Sequence, residues 1–257
     1  MKFAKYLSSK AVADWSNYYL DYKRLKKTLE PLVNCIEEHD KLPSGSTEGF
    51  FLSPSSEEIL INSVLDFQEV FKEEVDKVEF FCHSRLKHCK SIFQQITMSF
   101  FELKYPPTLA TSNSRARNSH YQDDQTTRSL SRKGLNSTSQ ISSRICVFRL
   151  ENLSVSVYEL TSVLKHLKDN FIPLNKLAVY KIFKKHDKLT SKIVGLFPDA
   201  FGAERLAYSE EILLVTKQER KFYYRFKDDA NYLLEEVQHL QHELNRLTIR
   251  KRQDGLV

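Results

Sequence analysis

Apolar residues recur at Leu60, Val64, Phe67, Phe71, Val75, Val78, Cys82, Leu86, Cys89, Phe93, Ile96, Phe100 and Leu103, in unbroken steps of three and four. Only a helix collects such a series on one stripe. The pattern predicts a single helix over residues 56–105, roughly 65–75 Å long at 1.5 Å per residue. Ser55 or Ser56, ahead of Glu57 and Glu58, offers an N-cap with an acidic first turn. Tyr105-Pro106-Pro107 ends the helix, because proline cannot donate to the ladder and restricts the residue before it. A second stripe runs Cys146, Leu150, Leu153, Val157, Leu160, Leu164, Leu167, Phe171, and Pro173 interrupts or kinks it. A third runs Phe226, Ala230, Leu233, Val237, Leu240, Leu244, Leu247. Long helices with this spacing pack at shallow angles, as in bundles and coiled coils.

Between the first two stripes the pattern lapses. Residues 106–143 hold fourteen Ser or Thr among 38, with five Arg or Lys against two Asp. Such a stretch buries too little apolar surface to offset its ordering entropy, so a disordered loop is expected there. Arg128-Ser129-Leu130-Ser131 within it has the form of a basophilic phosphorylation site, or is simply part of a flexible basic linker. Residues 40–55, rich in Pro, Ser and Gly, read as a shorter connector. The first 36 residues read as two short helices, anchored by Phe3, Leu7, Trp15, Tyr19 and Leu20, then by Tyr22, Leu25, Leu29 and Leu32. The fold class is all-α.

Composition removes several functions. Six Gly and seven Pro in 257 residues disfavour loop-rich and β-rich architectures. Neither G-x-G-x-x-G nor G-x-x-x-x-G-K-[ST] occurs, which argues against dinucleotide and P-loop nucleotide chemistry. Cys35, Cys82, Cys89 and Cys146 show no C-x-x-C spacing, so neither a zinc ribbon nor a disulfide framework is supported. No apolar run is long enough to span a bilayer, and the opening MKFAKYLSSK is too polar for a signal peptide; a cytoplasmic protein is expected. His239 and His242, three apart on the third stripe's helix, lack further convergent ligands, and no metal is expected. The adjacent carboxylates Glu57-Glu58, Glu73-Glu74, Glu210-Glu211 and Glu235-Glu236 point to different helix faces and read as solvated charge. Nothing argues for catalysis.

The net charge of +6 concentrates in one place. In LNKLAVYKIFKKHDKLTSK (174–192), Lys181, Lys184, Lys185, Lys188 and Lys192 share a helix face, with only Asp187 among them to compensate. Leu177, Ala178, Ile182 and Leu189 fall largely elsewhere and can anchor the helix. Like charges four apart repel by a few tenths of a kcal/mol per pair, a repulsion that a multivalent anion would relieve. Lysine is a flexible point-charge donor suited to several phosphates. A merely solvated face, a nucleic-acid contact and an anionic lipid surface remain open from spacing alone. The first is the usual outcome of such spacing, the second lacks Arg and interleaved aromatics beyond Phe183, and the third needs an apolar face that the bundle takes up.

MKFAKYL, Trp15 and YLDYKRLKK (19–27), the stripe around FKEEVDKVEFF (71–81), and NKLAVYKIFKKHDK (175–188) stand in one order around a polar loop. Together these motifs are similar to the SPX domain family, over about residues 1–190. The resemblance implies an N-terminal helical hairpin (1–39) packed on a long three-helix bundle, with an additional C-terminal helix. The implied SPX domain spans 1–200, comprising the hairpin, the 56–105 core helix, the 106–143 loop, and a core helix plus lysine-rich helix over 144–192. Residues 201–257 would form a C-terminal helical extension. It also implies a ligand, an inositol pyrophosphate or inositol polyphosphate, and no further cofactor. By the resemblance Lys2, Tyr22, Lys26, Lys181, Lys184, Lys185 and Lys188 would hold that ligand. Tyr22 and Lys26 are four apart, so hydroxyl and ammonium can share one phosphate.

The implied role is regulation of phosphate homeostasis through an attached domain or a partner. The opening and the KHDK spelling are closest to the phosphate-exporter branch, which would place the chain at the cytoplasmic face of a membrane with an effector domain beyond its C-terminus. Two departures touch the pocket: Ala178-Val179 replaces the family's Gly-Phe, and His186 replaces an aromatic and is expected to titrate near neutrality. The alternative function is a helical coiled-coil interaction protein, self-associating through residues 222–250, with a generic basic face. No specific nucleic acid is expected under the first reading.

Overall fold

The computed structural model describes residues 3–41, 54–105 and 131–253, with side chains described for 3–41, 56–105, 145–197 and 223–253. All regular structure among these residues is helical. In chain order α1 is Phe3–Lys10, a 3-10 turn spans Ala13–Tyr18, α2 is Tyr22–Thr28 and α3 is Glu30–Asp40. The long helices follow: α4 (Pro54–Lys104), α5 (Ser131–His166), a π-helical turn (Leu167–Phe171), α6 (Ile172–Leu196) and α7 (Pro198–Gln253). The α4 stripe is buried as its periodicity requires: Leu60, Phe67, Val78, Cys82, Cys89 and Ile96 are all closed to solvent.

Three boundaries differ from the sequence reading. The N-terminal segment holds three short α-helices, because the second breaks at Leu29: Pro31 has no N–H to return to Lys27, and Leu29 N–H closes on Lys26 and Lys27 carbonyls instead. Of the expected 106–143 loop, residues 106–130 lie outside the described residues, while α5 takes in 131–143 as helix. Before Pro173 the ladder opens by one residue, so that Ile172 N–H reaches Leu167 O, five residues back. The expected kink is thus absorbed as a π turn, with Pro173 in the first turn of α6.

The chain forms two compact units, residues 1–87 with 165–231, and residues 88–164 with 232–257. The second unit is a helical bundle whose core draws on Cys89, Ile96 and Phe100 of α4, Leu150, Val157 and Leu164 of α5, and Val237, Leu240 and Leu244 of α7. Lys104 Nζ and Glu243 Oε2 pair at 3.2 Å at its surface. The apolar stripe of α7 is buried within the chain: Ala230, Val237 and Leu244 are fully buried.

The first unit joins α1–α3 to α4 and α6 through an aromatic core. Phe171 lies 4.7 Å from Tyr19 and 4.7 Å from Phe81, ring centre to ring centre. Trp15 meets Phe81 edge-on at 5.4 Å, with the Arg85 guanidinium 5.6 Å over its ring. Asp21 caps α2, its Oδ1 accepting from Lys23 and Arg24 N–H, both at 3.0 Å. Glu74, buried on α4, fixes that same end: it accepts from Asp21 N–H (2.8 Å), Arg24 Nη1 (3.3 Å) and Lys77 Nζ (2.5 Å). Glu74→Ala leaves these donors without their acceptor. It is expected to cost about 2–4 kcal/mol, seen as a lower urea midpoint with an unchanged slope.

Candidate anion-binding site

The first unit brings α2 and α3 against α6. On α6 the buried arc consists of Asn175, Ala178, Val179, Ile182, His186 and Ile193. The opposite arc carries Lys181, Lys184 and Lys188 in solvent, with Lys185 half-buried at its edge. Lys185 is where the two halves meet: burial lowers its ammonium pKa first, and the nearby Lys26 of α2 lowers it further against the opposing pull of Glu30. Two cations 159 positions apart in sequence are thus held close enough to repel. Among the described residues no carboxylate lies within ion-pair distance of Lys26, Lys181, Lys184, Lys185 or Lys188. Such a concentration of like charge, offset only in part by Glu30, is what a polyanion neutralises.

Tyr22 opens α2 with its ring against Phe3 (4.9 Å, edge-on), and partial burial raises its hydroxyl pKa. It therefore meets an anion as a neutral donor. Lys2 lies outside the described residues.

Two cations near this surface are committed elsewhere. Lys192, at the far end of the lysine stripe, pairs with Asp40 of α3 at 2.7 Å. Arg24 is held by Glu73 (2.7 Å) and Glu74. Neither could be foreseen, since each partner is distant in sequence. On the other margin Lys176 Nζ sits 4.4 Å over the ring of Tyr224 and 3.4 Å from its hydroxyl, beside the exposed Tyr180. Tyr180 lies within the lysine motif itself, and its placement four residues from both Lys176 and Lys184 was a readable sign of an aromatic on the solvent arc.

His186 corrects the expectation of titration near neutrality. It is 3% exposed and stacks on Phe67 at 4.4 Å and 18°. Burial pushes its pKa down to about 4. An unfolded chain, with an ordinary imidazole near 6.5, binds more protons than the folded one between those values. Stability due to His186 is therefore complete above the unfolded value and is lost as pH falls from about 6.5 to about 4. His186→Phe keeps the stack without the titration. Urea melts at pH 7 and pH 4.5 should show the parent losing about 2–3 kcal/mol more than the variant. An equal loss in both would contradict the assignment.

Among the described residues no three His, Cys, Asp or Glu side chains converge as a metal site, and no helix is long and apolar enough to cross a membrane.

A family model, the SPX domain, matches residues 1–145, more than half of the chain. The chain belongs to the SPX family. SPX domains are helical, non-catalytic modules of phosphate homeostasis and inositol phosphate sensing. The matched segment includes Tyr22 and Lys26 but ends before α6. The lysines of α6 enter the site through the residue pattern around 175–188 and through their packing beside α2.

Proposed function

We infer that this chain senses phosphate status by binding one inositol polyphosphate or pyrophosphate across α2 and α6, and passes occupancy to an effector, joined to it or separate, at the cytoplasmic side of the cell. The observation that carries this reading is the packing of α2 beside α6, which brings Lys26 and Lys185 within electrostatic reach from two different elements; among the described residues neither has a carboxylate within ion-pair distance. Lys181, Lys184 and Lys188 extend that charge along α6, and Tyr22 adds a neutral donor one turn before Lys26. A single monoester would engage only part of this set. A ring bearing several phosphates engages all of it, each contact a charge-assisted hydrogen bond. No bond is made or broken, so the chemistry asked of these residues is recognition alone.

The test compares neighbours on α2. Lys26 and Lys27 are both exposed lysines of one short helix. Lys26→Ala is expected to weaken binding of inositol hexakisphosphate about tenfold, and Lys27→Ala by less than about twofold. Equal losses would mean that the surface acts only through its net charge, and would set the reading aside.

A further inference from the structure

The π turn and the start of α6 do more than pass Pro173. Asn170, inside the turn, accepts the Tyr19 hydroxyl at Oδ1 (2.6 Å) and donates from Nδ2 to the Lys10 carbonyl (2.8 Å). The Tyr19 oxygen in turn accepts Val12 N–H at 3.2 Å. One turn on, Asn175, fully buried, accepts Leu20 N–H at Oδ1 (2.8 Å) and donates to the Phe171 carbonyl (2.9 Å). Two asparagines on one element thus grip the chain at both ends of residues 10–20. The gripped strand leads directly into Asp21 and Tyr22, and then Lys26. The gripping helix leads directly into Lys181, Lys184 and Lys185.

We propose that Asn170 and Asn175 are positioning residues that set the register of α2 against α6, so that Tyr22 and Lys26 stand opposite the α6 lysines before any ligand arrives. The proposal rests on the ligand site inferred above and adds what holds its two halves together. The π turn is part of the device. In an uninterrupted α-helix, the five residues from Asn170 to Asn175 would leave the two side chains about 140° apart around the axis. Opening the ladder by one residue alters that relation and brings both amides onto the same strand. The bonds are local to the frame and none touches the basic surface, so their effect on binding passes through the placement of α2. Pre-set geometry removes an ordering cost that the ligand would otherwise meet.

The experiment is a double-mutant cycle read by calorimetric titration with inositol hexakisphosphate at low salt. Asn175 is fully buried and its alanine variant risks misfolding, so Asn170→Ala is the principal variant, with Tyr19→Phe as a second that removes the same bond from the other side. In the parent protein each is expected to lower affinity about five- to tenfold. In a Tyr22→Phe, Lys26→Ala background each should lower it by less than about twofold, since the positioned groups are already gone. In a Lys184→Ala background the full five- to tenfold loss should persist. A general loss of folded protein would lower affinity equally in every background, and that result overturns the proposal, as does an unchanged affinity in the parent background. Failure of the parent protein to bind inositol hexakisphosphate at all would remove the site itself, and the positioning role with it.

Discussion

Lys184→Ala combined with Lys185→Ala is expected to lower affinity for inositol hexakisphosphate about 100-fold or more without loss of folded structure. A hydrogen bond between an ammonium and a phosphate contributes about 1.5–3 kcal/mol, and the lower figure suits the exposed Lys184. Two such losses combine to two decades in affinity. The fold should tolerate the change for three reasons. Neither ammonium has an ion-pair partner among the described residues. Alanine is the better helix former. The repulsions between Lys181 and Lys185, and between Lys184 and Lys188, each four apart, also disappear. Thermal melting should show a midpoint equal to or slightly above the parent's. An affinity within threefold of the parent would show that these lysines are solvated surface.

Phe171→Ala carries the largest expected effect on stability, about 3–5 kcal/mol. The ring is fully buried and touches Trp15 (5.9 Å), Tyr19 and Phe81, so its loss opens a cavity where the N-terminal segment, α4 and the π turn meet. For a chain of this size that corresponds to a fall of about 10 °C or more in Tm. Trp15, the single tryptophan, reports on the same contact, and its emission should shift to the red in the variant. Phe171→Leu, closer in volume, should cost less than about half as much. Equal Tm values for the alanine variant and the parent would mean that the segment is held by its hydrogen bonds alone.

The parts of this fold that sequence made legible are those governed by local period. Most of the α4 stripe from Leu60 to Phe100 is buried, with Val64 and Phe93 partly so, since three-and-four spacing needs no knowledge of the partner. Lys181, Lys184 and Lys188 are solvent-facing for the same reason. What remained hidden depends on contacts across the chain. The fate of His186 is decided by Phe67, 119 positions earlier, and nothing adjacent to His186 marks it as buried. Lys192 belongs to the lysine stripe by spacing, yet Asp40 claims it. The break at Leu29 was available in Pro31 and was obscured by the run of leucines across it. The π turn was not, because Pro173 is compatible with a kink, a break or an inserted residue, and the amide bonds of Asn170 and Asn175 to a distant strand accompany the last of these.

The central claim is selective recognition of a polyphosphorylated inositol, and calorimetric titration of the parent protein at physiological salt tests it most directly. Inositol hexakisphosphate or an inositol pyrophosphate should bind saturably, one per chain, at least about 100-fold more tightly than inorganic phosphate, as expected when several charge-assisted contacts act on one ligand. A short duplex DNA should show only weak, steeply salt-dependent association. Equal affinity for all three anions, or no binding of the inositol phosphates, would contradict the claim.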